Sequence, residues 1–187
     1  MYLLPLSKSQ QQYGYENFFI TPAINNDFLK DRGYIYHSST DNYNSSYDIL
    51  KKNVFTVTGV TKNNSNQYFL QLKNNTLGEI CYYKYKTVND LAFPFIIQGY
   101  VEKATQRFVG KEVETTGEKW TSGDVIDAVT GRKITIDAGK RWKISEIVFA
   151  KENSDEPPGL DFMLKNKAGE SIAIPFLFTN DKYLLIK

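Results

Sequence analysis

Leu72-Lys73-Asn74-Asn75-Thr76-Leu77-Gly78-Glu79-Ile80-Cys81 and Leu164-Lys165-Asn166-Lys167-Ala168-Gly169-Glu170-Ser171-Ile172 are the two stretches that decide the fold. Each sets Asn and Gly between short apolar runs. Gly supplies the positive φ that a tight strand reversal demands and Asn tolerates similar conformations, so each stretch predicts a hairpin. Outward from the first turn, Leu70 and Leu72 alternate before it and Cys81, Tyr83 and Tyr85 after it. Upstream, Phe55 and Val57 alternate and Val60 breaks the parity. The second turn has the same surroundings: Trp142 and Ile144 alternate, Ile147 breaks parity, Phe162 and Leu164 resume, and Ile172, Ile174 and Phe176 follow. A parity break inside an alternating strand marks a β-bulge. Phe55 to Trp142 is 87 positions and Leu72 to Leu164 is 92, which predicts an internal repeat of about that length. Ser46–Lys51 and Ile134–Lys140 enter the two meanders in a similar way.

Composition agrees with strands. Thirteen Tyr and 12 Phe stand against eight Ala, and the apolar segments are short, β-branched or aromatic, and bounded by Asn, Gly and Ser. The expected fold is all-β: two tandem small β-barrels, SH3-like or similar, formed by the repeat. Closing a sheet of five or six short strands removes its exposed edges. A single larger β-sandwich built from both halves is the alternative. The expected modules are 1–99, rich in Tyr and Asn, and 100–187, with the chain turning at Gly99. Thr21–Lys30 is the one expected helix, with Pro22 in its first turn and Ile24, Phe28 and Leu29 on one face. Pro94 and Pro175 interrupt apolar runs and point to edge strands or bulges. Lys151–Gly159, acidic and carrying Pro157 and Pro158, reads as an exposed loop.

The charge balance excludes several function classes. Twenty-three Lys and Arg against 21 Asp and Glu give a formal charge of +2, too small and too evenly spread to draw nucleic acid by charge alone. Lys84 and Lys86 alternate with Tyr83 and Tyr85, which puts cations and rings on opposite faces rather than together on a stacking platform. No apolar run is long enough for a membrane-spanning helix. The compartment stays open, and an extracytoplasmic or cell-surface location fits if an export signal has been removed. One Cys excludes an intrachain disulfide and a multi-Cys zinc site, and one His excludes a His-His metal pair. No cofactor or metal is expected.

Residues suited to chemistry are few. Cys81 alternates with Tyr83 at a core position like that of Ile172, and reads as a buried inert thiol. His37 reads as a strand end. A Cys-His hydrolase needs these two within hydrogen-bond reach, and nothing local brings them together. Asp124 and Asp127 are the carboxylates most concentrated among apolar residues, although turn positions explain Asp equally well. Asp41-Asn42-Tyr43-Asn44 lacks the Gly and the distal Glu of a calcium loop. No nucleotide-binding loop is present.

Tyr34 to Tyr47 is the most unusual segment. Its rings lie among Ser, Asn and Asp, a mixture suited to stacking on sugar faces and bonding hydroxyls, and equally to covering the open end of a barrel. The candidate ligand-binding residues are Tyr36, Tyr43, Tyr47 and Trp120, while Trp142 reads as core. The expected function is a non-enzymatic binding or scaffolding protein with a glycan, peptide or protein partner. The alternatives are a small hydrolase acting on glycans through a carboxylate pair, or a subunit of a larger surface assembly.

Overall fold

The computed structural model describes residues 1–22, 32–41, 43–85, 93–116, 125–149, 159–175 and 184–186. Strand is their main regular structure, and they fall into two compact units, one within 1–98 and one made from 99–149 with 159–186. Among them no helix is long and apolar enough to cross a membrane.

The first unit contains β1 (Tyr2–Leu3), α1 (Lys8–Gln11), β2 (Phe18–Phe19), α2 (Tyr47–Leu50), β3 (Phe55–Lys62), β4 (Tyr68–Asn74), β5 (Ile80–Tyr85) and β6 (Phe95–Ile96). Strands β2-β5-β4-β3 form an antiparallel sheet and β1-β6 a separate pair. A bridge from Tyr2 to Val54 joins β1 to the chain just before β3. Alternation turns Phe55, Leu72, Cys81 and Tyr83 to one side, where they meet Phe18 and Phe95. Ring centroids of Phe18, Phe55, Tyr83 and Phe95 lie 5.2 to 5.8 Å apart in tilted and edge-on pairs. Each such pair adds about 0.5 to 1.5 kcal/mol beyond the area it buries.

The second unit contains α3 (Gln98–Phe108), whose first residue ends the first unit, then β7 (Glu112–Thr115), β8 (Val125–Ile126), β9 (Lys133–Ile134), β10 (Arg141–Phe149), β11 (Leu160–Lys165), β12 (Ser171–Pro175) and β13 (Leu184–Ile186). Its five-stranded sheet runs β12-β11-β10-β7-β13, and β8 and β9 form a small hairpin. Val113, Ile136, Trp142, Ile144, Phe162, Leu164, Ile172 and Ile174 make the core, with Phe108 and Val109 at the end of α3 packed against it.

The two predicted hairpins form, and their registers match. Val57 pairs with Leu72 and Leu72 with Cys81, as Ile144 pairs with Leu164 and Leu164 with Ile172. The parity breaks are bulges between Val57 and Gly59 and between Ile144 and Glu146. At each bulge a hydroxyl donates to the facing carbonyl, Thr58 Oγ1 to Gln71 O at 3.2 Å and Ser145 Oγ to Met163 O at 3.0 Å. Each turn closes on its asparagine. Asn74 Oδ1 accepts from the amides of Thr76 and Leu77, Asn166 Oδ1 from those of Ala168 and Glu170. Gly78 and Gly169 take φ of +78° and +86°.

Several expectations are corrected. The described strands form open antiparallel sheets and no closed barrel. Gly99 lies in α3 rather than in a turn, and the segments leading to the two meanders differ, Tyr47–Leu50 being one helical turn and Lys133–Ile134 a strand. The expected helix over Thr21–Lys30 and the expected loop Lys151–Gly159 lie mainly outside the described residues. Pro175 does sit at the end of β12, the outer strand of its sheet, where its missing N–H costs no ladder bond.

Two local features set testable stabilities. Gly14 has φ of +71°, and a Cβ there would lie 2.2 Å from the Ser45 carbonyl oxygen. Gly14→Ala is therefore expected to destabilise the first unit by about 2 kcal/mol, seen as a lower urea midpoint. Asp127 ties the β8–β9 hairpin to β12: Oδ2 accepts the Ser171 amide at 2.7 Å and Oδ1 those of Thr130 and Val129 at 2.6 and 3.0 Å. The Ser171 and then the Thr130 amides hold its carboxyl down at about 2. The stability it confers is complete above the ordinary value of 3.8 and is lost as the pH falls through about 2. Asp127→Asn should lower the melting temperature at pH 7 and flatten this acid limb, so that variant and parent curves converge toward pH 2.

Candidate functional site

The segment that carries three of the four candidate residues is organised by backbone pairing. Phe19 bridges Ile35, Tyr15 and Ser38 both bridge Ser45, and the Ser39 amide donates to Asn44 O at 2.8 Å. Ser38 and Ser45 therefore close the base of the loop that carries Tyr43. Ser45, fully buried, donates its hydroxyl to the Tyr36 carbonyl.

Tyr36 and Tyr47 are 3% and 6% exposed, so neither ring offers a face to a ligand. Both belong to the aromatic core. Tyr47 stacks on Tyr15 at 5.7 Å, and the Lys51 ammonium lies 5.4 Å above it. Tyr43 is different: it is 54% exposed and lies on the loop. Trp120 lies outside the described residues, as does Asp124. Trp142 is core, as its alternation predicts.

Tyr43 lines a pocket of about 320 Å³ together with Glu16, Asn17, Asn44, Ile35 and Lys84. Two contacts position this lining. Asn44 Nδ2 donates to Tyr13 O at 2.8 Å, which pins the loop to the N-terminal segment. Asn17, at φ of +69°, accepts the Lys84 amide through its carbonyl and so holds one wall against β5. The result is a concave site lined by one exposed aromatic ring and by Glu16, Asn17, Asn44 and Lys84. Sequence reading finds Tyr43 and Asn44. It misses Glu16, Asn17 and Lys84, because only the β2–β5 pairing brings these parts of the chain to the loop.

Behind this loop lies a polar network that sequence reading also misses. Glu79, at the end of the first asparagine turn, accepts the Tyr36 hydroxyl at 2.8 Å and meets His37 Nε2 at 2.7 Å through the same oxygen. Asn74 Nδ2 donates to the Tyr36 hydroxyl at 3.1 Å. The Tyr36 hydroxyl, and after it the His37 ring, hold Glu79 below the usual carboxylate range. Burial, followed by its bond to Glu79, pushes the Tyr36 hydroxyl well above its ordinary value. His37 takes φ of +48°, which few non-glycine residues adopt, and this aims its ring at Glu79.

Cys81 is fully buried, and burial pushes its thiol up to about 12, so it carries no appreciable thiolate at neutral pH. His37 engages Glu79. Asp127, the described member of the Asp124 and Asp127 pair, directs both carboxylate oxygens at backbone amides. Among the described residues no group of three or more His, Cys, Asp or Glu side chains has the geometry to hold a metal ion.

Comparison with known proteins gives no relative: no family model, no curated protein and no solved structure matches this chain. Its function must be argued from its own residues.

Tyr36→Phe removes the donor to Glu79 and leaves the buried Asn74 amide without its acceptor. The expected cost is about 1 to 3 kcal/mol, read as a lower midpoint in urea unfolding. An unchanged midpoint would mean that the network does not hold the loop.

Proposed function

We propose that this chain is a non-enzymatic binding protein whose first unit takes a glycan in the pocket beside Tyr43. The exposed Tyr43 ring within a concave site lined by Glu16, Asn17, Asn44 and Lys84 is the observation that carries this reading. A flat amphipathic ring stacks on the apolar face of a sugar, while the surrounding amides and charged groups bond its hydroxyls. The loop is closed at its base and pinned by Asn44, so little ordering entropy opposes binding.

We propose also that the two units are copies of one small SH3-like β-module. The matched bulges, bulge hydroxyls, asparagine turns and registers support this reading. A further match adds to it: Met1 to Leu3 lies beside Asn53 to Phe55 as Val113 to Thr115 lies beside Lys140 to Trp142. In both places the outer partner, β6 or β13, pairs antiparallel with the strand. A tandem module of this kind would present its loops as separate recognition sites.

A thermal-shift and pull-down screen of the intact protein against polysaccharides and cell-wall fragments tests the binding proposal. Saturable binding is expected with at least one glycan, and Tyr43→Ala should weaken it about tenfold or more. Tyr68→Ala, which removes another exposed ring of the same unit, should leave it unchanged. A folded protein that binds no glycan, or binds one equally well without Tyr43, contradicts the proposal; retention by peptides alone would reassign the pocket to a peptide.

A further inference from the structure

We infer that the second unit carries a separate binding site for an extended acidic peptide, in the open groove beside β10 and β11. The groove has a volume of about 490 Å³ and is lined by Lys140, Arg141, Lys143, Lys165 and Lys167 against one carboxylate, Glu112. Two of these cations already have partners. Lys140 Nζ is 3.0 Å from Glu170, and Arg141 Nε is 3.9 Å from Glu114. Lys143, Lys165 and Lys167 form no ion pair among the described residues.

Register makes this concentration of charge unusual. Lys143 and Lys165 stand directly opposite each other across the β10–β11 ladder. Like charges in that position destabilise a sheet; on their other sides Lys143 faces Glu112 of β7, whereas Lys165 faces Ser171 of β12 and no carboxylate. A ligand that neutralises both removes the repulsion. Trp142 also lines the groove, but its ring belongs to the core of the unit and is 2% exposed. Its buried indole N–H has no acceptor among the described residues.

The spacing favours a peptide. Arg141 and Lys143, each opposite a β7 carboxylate, Glu114 or Glu112, are two residues apart on one strand and project from the same face, a repeat of about 7 Å. Alternate side chains of an extended peptide repeat at the same distance, so Glu or Asp at every second position would meet successive cations. Lysine suits such a ligand, because it acts as a mobile point charge and needs no fixed fork geometry. Single-stranded nucleic acid binds through base stacking as well as charge, and the only ring lining this groove, that of Trp142, is buried. This site is independent of the pocket at Tyr43.

The test uses the full chain with Trp120→Phe, which leaves Trp142 as its single tryptophan. The probe is an octapeptide of alternating Glu and Ser, with all-Ser octapeptide and oligo(dT) for comparison, read by calorimetry and by Trp142 emission. Saturable binding of the Glu-Ser peptide is expected, weakening about tenfold or more as salt rises from about 0.05 to 0.5 M. Lys165→Glu with Lys167→Glu should abolish it. Lys62→Glu with Lys73→Glu, the same change of charge in the first unit, should not. Lys143→Gln should weaken binding without lowering the melting temperature, which separates loss of a ligand contact from loss of fold. No saturable binding by the folded protein, equal binding by the charge-reversed variant or by the Ser peptide, or tighter binding of oligo(dT) would each overturn the inference.

Discussion

Strand register is the constraint on which the rest of this molecule depends. In a half-buried sheet a slip of one residue moves every core side chain to the solvent face, so the register must be fixed at defined points. Here each meander is fixed at two. The asparagine turn sets where the chain reverses, and the bulge, closed by the Thr58 or Ser145 hydroxyl, absorbs the one residue by which facing strands differ. With those points set, Phe55, Leu72, Cys81 and Tyr83 share one face, as do Trp142, Ile144, Leu164 and Ile172.

The same constraint places the polar groups. Because the first turn ends at Glu79, a carboxylate stands beside the core edge where Tyr36 and His37 pass. That contact, with the buried Ser45 hydroxyl, holds the base of the loop that bears Tyr43. Because the second turn ends at Glu170, a carboxylate meets Lys140 and the Asn166 amide. The register of that meander also sets Lys143 against Lys165. Burial and charge in both units thus follow from where the chain reverses at its two asparagine turns.

Much of the strand framework was legible in the sequence, and the reason is local. Asn and Gly at the turns, alternation in Phe55–Val57 and Trp142–Ile144, and the breaks at Val60 and Ile147 all act within a few residues of where they are read. The Gln98–Phe108 helix was hidden because Gly99 and the β-branched Val101 and Thr105 are poor helix formers. Phe108 packs on Phe162 with ring centroids 5.3 Å apart, and this contact supplies stability that intrinsic propensity does not. Tyr36 and Tyr47 read as surface residues because their neighbours are Ser, Asn and Asp. Those neighbours bond the backbone of a loop, while the two rings fill the core of a unit whose interior is unusually aromatic. The pocket residues Glu16, Asn17 and Lys84 were not legible together, since they meet only through the β2–β5 pairing.

The functional account rests on where a ligand meets the first unit. Backbone amide shift mapping of the isotope-labelled full chain, titrated with a glycan that the protein retains, tests this most directly. The account predicts that the largest changes fall on Glu16, Asn17, Tyr43, Asn44 and Lys84 and saturate together. Changes centred on the second unit, or confined to residues remote from that pocket, would contradict it.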